Sequence, residues 1–317
     1  LTVISEDLPE KHNRIILSKN MVDKFNIAGV DVIYKISENT KKMISRENLS
    51  EYDKNGYFFI KGLFSIDELQ PLINESENFS THPSKFSVRD AKGNPAQLIS
   101  WTHLANDFIG VLPRLKKMVS IPELILGKEV SHWHSKISFK NPGSKSGWDW
   151  HQDFGHWYRE GCLSPDMLSI GIALTPMNQD NGSLNFIRCS HKFGRIDHIP
   201  TGHSNSADPE YVTEALKRYE VVPCILNPGD AVVFHCNLLH GSGPNLTEKH
   251  RSLIMCSYNA LENDPWKPID QGHYSRKIEV LPDDKLIKGE WGSLMSQSTM
   301  MNLDGAEVYG YEHEKSI

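Results

Sequence analysis

His151-Gln152-Asp153 sets an imidazole and a carboxylate two positions apart, between Trp148-Asp149-Trp150 on one side and Phe154-Gly155-His156-Trp157 on the other. On an extended strand such residues project to the same side, so both can reach one metal ion without distortion. A third ligand is needed. Phe234-His235-Cys236-Asn237-Leu238-Leu239-His240-Gly241-Ser242-Gly243 offers His240, and Arg251 follows at the head of Ser252-Leu253-Ile254-Met255. Two histidines and one carboxylate, with the other positions open, form the facial triad that favours non-haem Fe(II) and oxygen chemistry. The chain holds 15 histidines, so a lone H-x-D triplet also arises by chance, as a surface or satisfied core histidine. Arg251 adds a separate signal: an arginine heading an apolar strand is costly to bury unless an anion meets its fork. A salt bridge to an internal Asp or Glu would serve that arginine equally.

These residues need a frame that returns His240 to His151. From Val130 the chain breaks into short β-like runs separated by turns: Val130–Phe139, Trp148–Asp153, Leu168–Leu174, Ser183–Ile187, Glu220–Leu226, Ala231–Phe234 and Ser252–Tyr258. Asn141-Pro142-Gly143 and Asn227-Pro228-Gly229-Asp230 are turn signals. Many short strands at this spacing predict a mainly β fold, a jelly roll with flanking helices, rather than βαβ units. Upstream, a short helix should end at Asn55-Gly56, a strand should cover Tyr57–Ile60, and Ser65-Ile66-Asp67-Glu68 has the capping-box spacing that opens a helix through Leu69, Leu72 and Ile73. Residues 79–100 read as loop, and 104–127 as helix interrupted at Pro113. Residues 195–219 read as a polar insertion with a helix at Pro209–Tyr219. Residues 1–45 read as an N-terminal extension ahead of one domain over 46–317.

At 38% hydrophobic and 23% charged residues, the composition is that of an ordinary globular protein. A net charge of −6 gives no basic footprint for nucleic acid, and no dense Lys/Arg run suits a membrane surface. The expected partner is a small molecule; the oligomeric state is left open. The five cysteines are odd in number and never spaced C-x-x-C, which argues against a disulfide framework or a zinc knuckle. With no signal-peptide pattern in residues 1–20 and no spanning apolar run, a cytoplasmic location is expected.

His151-x-Asp153, His240-x-Ser242 and Arg251 together resemble the iron and 2-oxoglutarate motif of the phytanoyl-CoA dioxygenase family. The nearest likeness within it is to ectoine hydroxylase-like enzymes, through His134-Ser135-Lys136-Ile137-Ser138-Phe139, the H-Q-D-F-x-x-W segment, Asn181-Gly182-Ser183-Leu184 and Ser190-His191-Lys192. It runs from about residue 45 to 260. The resemblance implies a double-stranded β-helix in which His151, Asp153 and His240 hold Fe(II), while Arg251 with Ser242 binds the distal carboxylate of 2-oxoglutarate. It implies Trp148 in the same pocket and Trp157 and Phe234 facing the substrate. Where the ectoine enzymes carry Gln and Asn as co-substrate contacts, this chain has His134 and Ser138. The segment Gly155-His156-Trp157-Tyr158-Arg159 also lacks their acidic residue, which weakens the case for ectoine itself.

The expected activity is therefore an Fe(II)- and 2-oxoglutarate-dependent oxygenase that uses O2 to oxidise an unactivated C–H bond of a small polar, amino-acid-derived metabolite. Hydroxylation is the default, with ring closure or desaturation as variants. Asp153 leaves no ligand position for chloride, which disfavours halogenation. His156 and Arg159 are candidate substrate contacts, against a solvated surface role. Two other classes could share the ligands: a non-catalytic sensor of iron and 2-oxoglutarate, and another cupin-type metalloenzyme, in which Arg251 would have no role.

Overall fold

The structure is a computed structural model that describes residues 44–267 and 276–295, together with the backbone of strands β1 (Arg14–Val22) and β2 (Ala28–Ile33), which pair antiparallel. The expected N-terminal extension otherwise lies outside the described residues, as does the chain after residue 295.

Helix α1 (Arg46–Asn55) begins at a capping box between Ser45 and Asn48 and ends where Gly56 turns left-handed at φ +88°. Strand β3 (Tyr57–Ile60) follows, then helix α2 (Ile66–Glu75), whose Ser65–Glu68 capping box forms as its spacing predicts. Residues 79–100 are not the expected loop: they form β4 (Phe86–Arg89) and β5 (Pro95–Trp101). The strands are short, one opens on a proline, and only part of each is apolar. That composition hides β4, an edge strand that pairs on one side only, and with it β5, which is paired on both. Helices α3 (Phe108–Val111) and α4 (Lys116–Leu126) flank the break at Pro113.

Next come β6 (Val130–Lys140), β7 (Trp148–His151), the short helix α5 (Asp153–Trp157), β8 (Met167–Ala173) and β9 (Leu184–Ile187). The predicted strand over Trp148–Asp153 thus stops at His151, and Asp153 opens a helix instead. Residues 195–219 contain the expected helix, α6 (Pro209–Arg218), but also a hairpin of β10 (His198–Thr201) and β11 (Ser204–Ala207). Strand β12 (Val221–Pro223) is shorter than expected, with Leu226 returning as an isolated bridge to Met177. Strands β13 (Ala231–His235), β14 (His240–Ser242) and β15 (Arg251–Ala260) complete the set.

A seven-stranded sheet in the order β3-β13-β8-β15-β6-β5-β4 packs against a four-stranded sheet, β12-β9-β14-β7. This is a double-stranded β-helix, the jelly roll expected from the strand pattern. The large sheet carries two kinds of surface because side chains alternate along each strand. Outward, Ile254 lies between Ile137 and Ile172 in register, in a core with Leu69, Leu72, Leu112 and Met118 from the helices. Complete burial of each such side chain contributes about 1.5–3 kcal/mol. Inward, Tyr57, Val232, Phe234, Leu253 and Met255 meet Leu184 and Phe186 of β9 and close one end of the space between the sheets. The other end is lined by polar residues, His134, Lys136, Ser138 and Lys140, at alternate positions of β6. Beyond residue 262, Ile278 and Leu286 are buried in the outer core with Trp291 against it. All five cysteines are free.

Candidate metal centre and active-site cleft

The two candidate histidine ligands meet through sheet register. His240 of β14 is the direct partner of His151 on β7, and their rings lie 4.1 Å apart. Asp153 arrives differently, at the first position of α5. Gln152, extended at φ −110° and ψ 133°, carries the chain from strand to helix. That linking residue is clamped: its buried amide donates to Asn237 O (2.7 Å) and Gly194 O (2.8 Å) and accepts from Ile196 N (2.7 Å). Asp153 Oδ1 then stands 3.9 Å from His151 Nε2 and 3.8 Å from His240 Nε2. One ligand atom from each residue falls within 4.8 Å of the others, the spacing of a metal site.

The protonation pattern suits a cation. His151 Nδ1 donates to Asp149 O (2.7 Å) and His240 Nδ1 to Leu238 O (3.0 Å), so both Nε2 lone pairs point inward. Burial pushes both imidazoles below their usual range, which keeps them neutral. For Asp153 burial opposes ionisation, but the Lys136 ammonium outweighs it and holds the carboxyl below the ordinary range. Its Oδ2 accepts from Ser169 Oγ (3.1 Å), which is itself 2.8 Å from Ser257 Oγ. Oδ1 is left facing the imidazoles. The donor set of two neutral nitrogens and one carboxylate oxygen fits Fe(II).

Beside this centre opens a cleft that the metal strand, β6 and the β10–β11 hairpin wall together. Its wall includes His134, Trp148, His151, Asp153, His156 and Trp157 among the residues singled out from sequence. Trp148 packs on Val88, Ala96 and Leu98 of the β4–β5 edge. The turn between those strands is tied over the metal strand by two bonds: Asp149 accepts from Ala91 N (2.7 Å), and Asp90 accepts from Gly147 N (3.0 Å). Six other candidates lie outside the lining: His240 in the metal centre itself, Ser138 on β6, and Phe234, Arg159, Arg251 and Ser242. Phe234 is fully buried behind His240, ring centroids 5.0 Å apart, inside the apolar cluster. Arg159 bonds to the His198 carbonyl. Arg251 is buried, donating to Ser138 O (3.3 Å) and Gly182 O (2.7 Å), and Ser242 Oγ accepts from Lys140 Nζ (2.9 Å).

Sequence reasoning missed Lys136, whose ammonium lies 4.0 Å from Asp153 Oδ1 on the cleft wall, and Lys140 behind it. It also missed Ser204, Asn205 and Ser206, which bring the β10–β11 hairpin to the cleft. Polar side chains at every second position of β6, alternating with Ile137 and Phe139, were the available signal for the lysines.

A double-stranded β-helix with a His-Asp-His centre between its sheets defines a non-haem iron oxygenase, and the comparisons with known proteins agree. Residues 52–253 match the phytanoyl-CoA dioxygenase (PhyH) family, and the chain belongs to it. It is 28% identical over 242 residues to an ectoine dioxygenase of Sphingopyxis alaskensis, covering 71% of this chain and 79% of that protein. It is 26% identical over 234 residues to an L-proline trans-4-hydroxylase of Streptomyces griseoviridis, covering 69% and 87%. The crystal structure of EctD from S. alaskensis with 2-oxoglutarate and 5-hydroxyectoine superposes with a TM-score of 0.64 at 25% identity, over 75% of this chain and 88% of that one. The protein is a 2-oxoglutarate-dependent iron dioxygenase, with Fe(II) as its metal and 2-oxoglutarate and O2 as co-substrates. Among the described residues no helix is long and apolar enough to cross a membrane.

Proposed function

We propose that the enzyme oxidises an unactivated C–H bond of a small, carboxylate-bearing, amino-acid-derived metabolite. The observation that carries this reading is Lys136. Its ammonium projects from β6 into the cleft within 4.0 Å of Asp153, so a substrate carboxylate held there has its carbon skeleton beside the metal position. The relatives point to the same size class, since one is named for ectoine and another for L-proline.

In this reading His151, Asp153 and His240 hold the iron. Bound there, Fe(II) supplies the coupling between oxidative decarboxylation of 2-oxoglutarate by O2 and oxidation of the substrate C–H bond. The atoms balance as 2-oxoglutarate, O2 and R–H going to succinate, CO2 and R–OH. The chain's own groups bind and orient. Arg251 and Ser242 receive the distal carboxylate of the keto acid, Trp148 walls its chain, and His134 and Ser138 offer further polar contacts. Trp157 and His156 face the substrate side. Trp157 is almost wholly buried, and it excludes water from that wall of the cleft. The five free cysteines fit a reducing, cytosolic setting.

The test is succinate formation and O2 uptake by the Fe(II)-loaded enzyme with 2-oxoglutarate and a panel of amino and imino acids. Succinate that depends on one of these supports the proposal. Lys136→Ala should raise KM for that substrate about 10- to 100-fold, the worth of one charge-assisted hydrogen bond, and leave 2-oxoglutarate binding unchanged. Binding of iron and 2-oxoglutarate with no substrate-dependent turnover across the panel would instead favour a sensor.

A further inference from the structure

Arg251 and Lys140 are direct partners in the register between β15 and β6. Side chains so paired share one face of the sheet, and like charges directly opposite each other are destabilising. Burial makes the pairing worse: Arg251 is 0% exposed and Lys140 2%. Among the described residues no carboxylate forms an ion pair with either one. Two basic side chains have been brought together in the interior with no anion from the described residues between them.

Their hydrogen bonds leave specific donors unspent. The Arg251 guanidinium spends one N–H on Ser138 O and one on Gly182 O, and its buried Nε has no partner. Lys140 Nζ donates to Ser146 O (3.1 Å), to the Gly243 carbonyl and to Ser242 Oγ (2.9 Å). Because Ser242 accepts from the ammonium, its own hydrogen is free to donate elsewhere. Ser242 also lies two positions beyond His240 on β14, so it joins the cation pair to the metal strand. The packing around Lys140 is tight: a Cβ on Gly182 would come within 3.0 Å of its Cδ.

We propose that Lys140 is a positioning residue for the co-substrate: with Arg251 it supplies the positive charge that receives the distal carboxylate of 2-oxoglutarate, and it fixes Ser242 as a hydrogen-bond donor to that carboxylate. This rests on the reading of Arg251 as the co-substrate anchor. Burial and the neighbouring Arg251 push Lys140 down to about 6, with Asp90 of the β4–β5 turn acting in the opposite direction. The other group facing the pair is the Cys224 thiol, which burial raises to about 12 and so keeps neutral. A carboxylate arriving beside Lys140 favours the ammonium. Binding of 2-oxoglutarate above pH 6 therefore takes up a proton, and affinity falls as pH rises.

The experiment is anaerobic calorimetry of 2-oxoglutarate into the Fe(II)-loaded full-length enzyme, in buffers of different ionisation enthalpy. The metal ligands are then already deprotonated and contribute no protons. The expected result is uptake approaching one proton per 2-oxoglutarate, with Kd rising by up to about tenfold per pH unit above 6. Lys140→Met should weaken binding and abolish the uptake, while Lys140→Arg should restore affinity without uptake, because arginine keeps its charge. A merely structural lysine would not move the proton count. Wild-type binding without proton uptake, with Lys140→Met retaining the wild-type Kd, overturns the proposal and leaves the site reading intact. Absence of any 2-oxoglutarate binding by the wild type would overturn both. Should Lys140→Met fail to fold, the wild-type proton count decides.

Discussion

His151 and His240 face each other across adjacent strands, their rings 4.1 Å apart, so two candidate metal ligands far apart in sequence are joined by one backbone register. A slip of one residue between β7 and β14 would send the two imidazoles to opposite faces of the sheet. The centre is therefore as secure as that pairing, and Gly241 is a point of close approach within it. A Cβ there would lie 2.8 Å from Trp148 O.

Gly241→Ala should push β14 away from β7 and separate the two histidines. The expected cost is about 1–3 kcal/mol of stability, as for other overpacking changes, together with weakened Fe(II) binding. Thermal unfolding with and without metal checks both, since the stabilisation conferred by Fe(II) should shrink in the variant.

Ser169→Ala removes the donor that holds Asp153 Oδ2 and leaves Ser257 without its partner. Partners behind a ligand typically matter at the level of about 10- to 100-fold in metal affinity. A fall of about tenfold in a competitive Fe(II) titration, with the fold unchanged, is the expected outcome.

Asn205 reaches the cleft from the β10–β11 hairpin, whereas Arg251 lies outside the cleft lining. Asn205→Ala should raise KM for the organic substrate while leaving the Kd of 2-oxoglutarate unchanged. Steady-state kinetics beside a direct binding titration separates the two.

On the outer layer, Lys117 bridges to Glu68 at 2.6 Å, donates to Leu63 O and lies 3.9 Å from the Phe64 ring. Partial burial raises the Glu68 pKa, but Lys117 and the Ser65 cap outweigh it and hold the carboxyl below its usual value. A depressed carboxylate stabilises the fold above its unfolded pKa, and that contribution is lost as pH falls through the folded value. Lys117→Met should cost about 1–2 kcal/mol at neutral pH, less than for a fully buried pair because water reaches Glu68. Its acid-unfolding curve should show less loss over that acidic window than the wild type, as followed by denaturant titration at several pH values.

Much of this architecture is legible in the chain itself. His151, Asp153, His240 and Arg251 stand out because each is a polar or charged group set against an apolar strand, where burial demands a partner. Lys136 and Lys140 obey the same rule yet escape notice, since a lysine is ordinarily a solvated residue and only its alternation with Ile137 and Phe139 places it inside. Strand β4 is hidden because edge pairing needs no continuous apolar run, and β5, though paired on both sides, opens on Pro95-Ala96-Gln97. The β10–β11 hairpin is hidden for a related reason: Ser204, Asn205 and Ser206 are all polar residues that line the cleft, so no hydrophobic alternation marks them. The strand over Trp148–Asp153 is overextended because Asp153 turns into α5 through contacts of Gln152 with Gly194, Ile196 and Asn237, none of them local in sequence.

The most direct test of the account is the visible absorption of the anaerobic enzyme on addition of Fe(II) and then 2-oxoglutarate. Chelation of the keto acid at a His151-Asp153-His240 iron centre predicts a weak charge-transfer band that needs both additions and disappears in His151→Ala and Asp153→Ala. No band in a wild-type enzyme shown to bind Fe(II), or an undiminished band in those two variants, would contradict it.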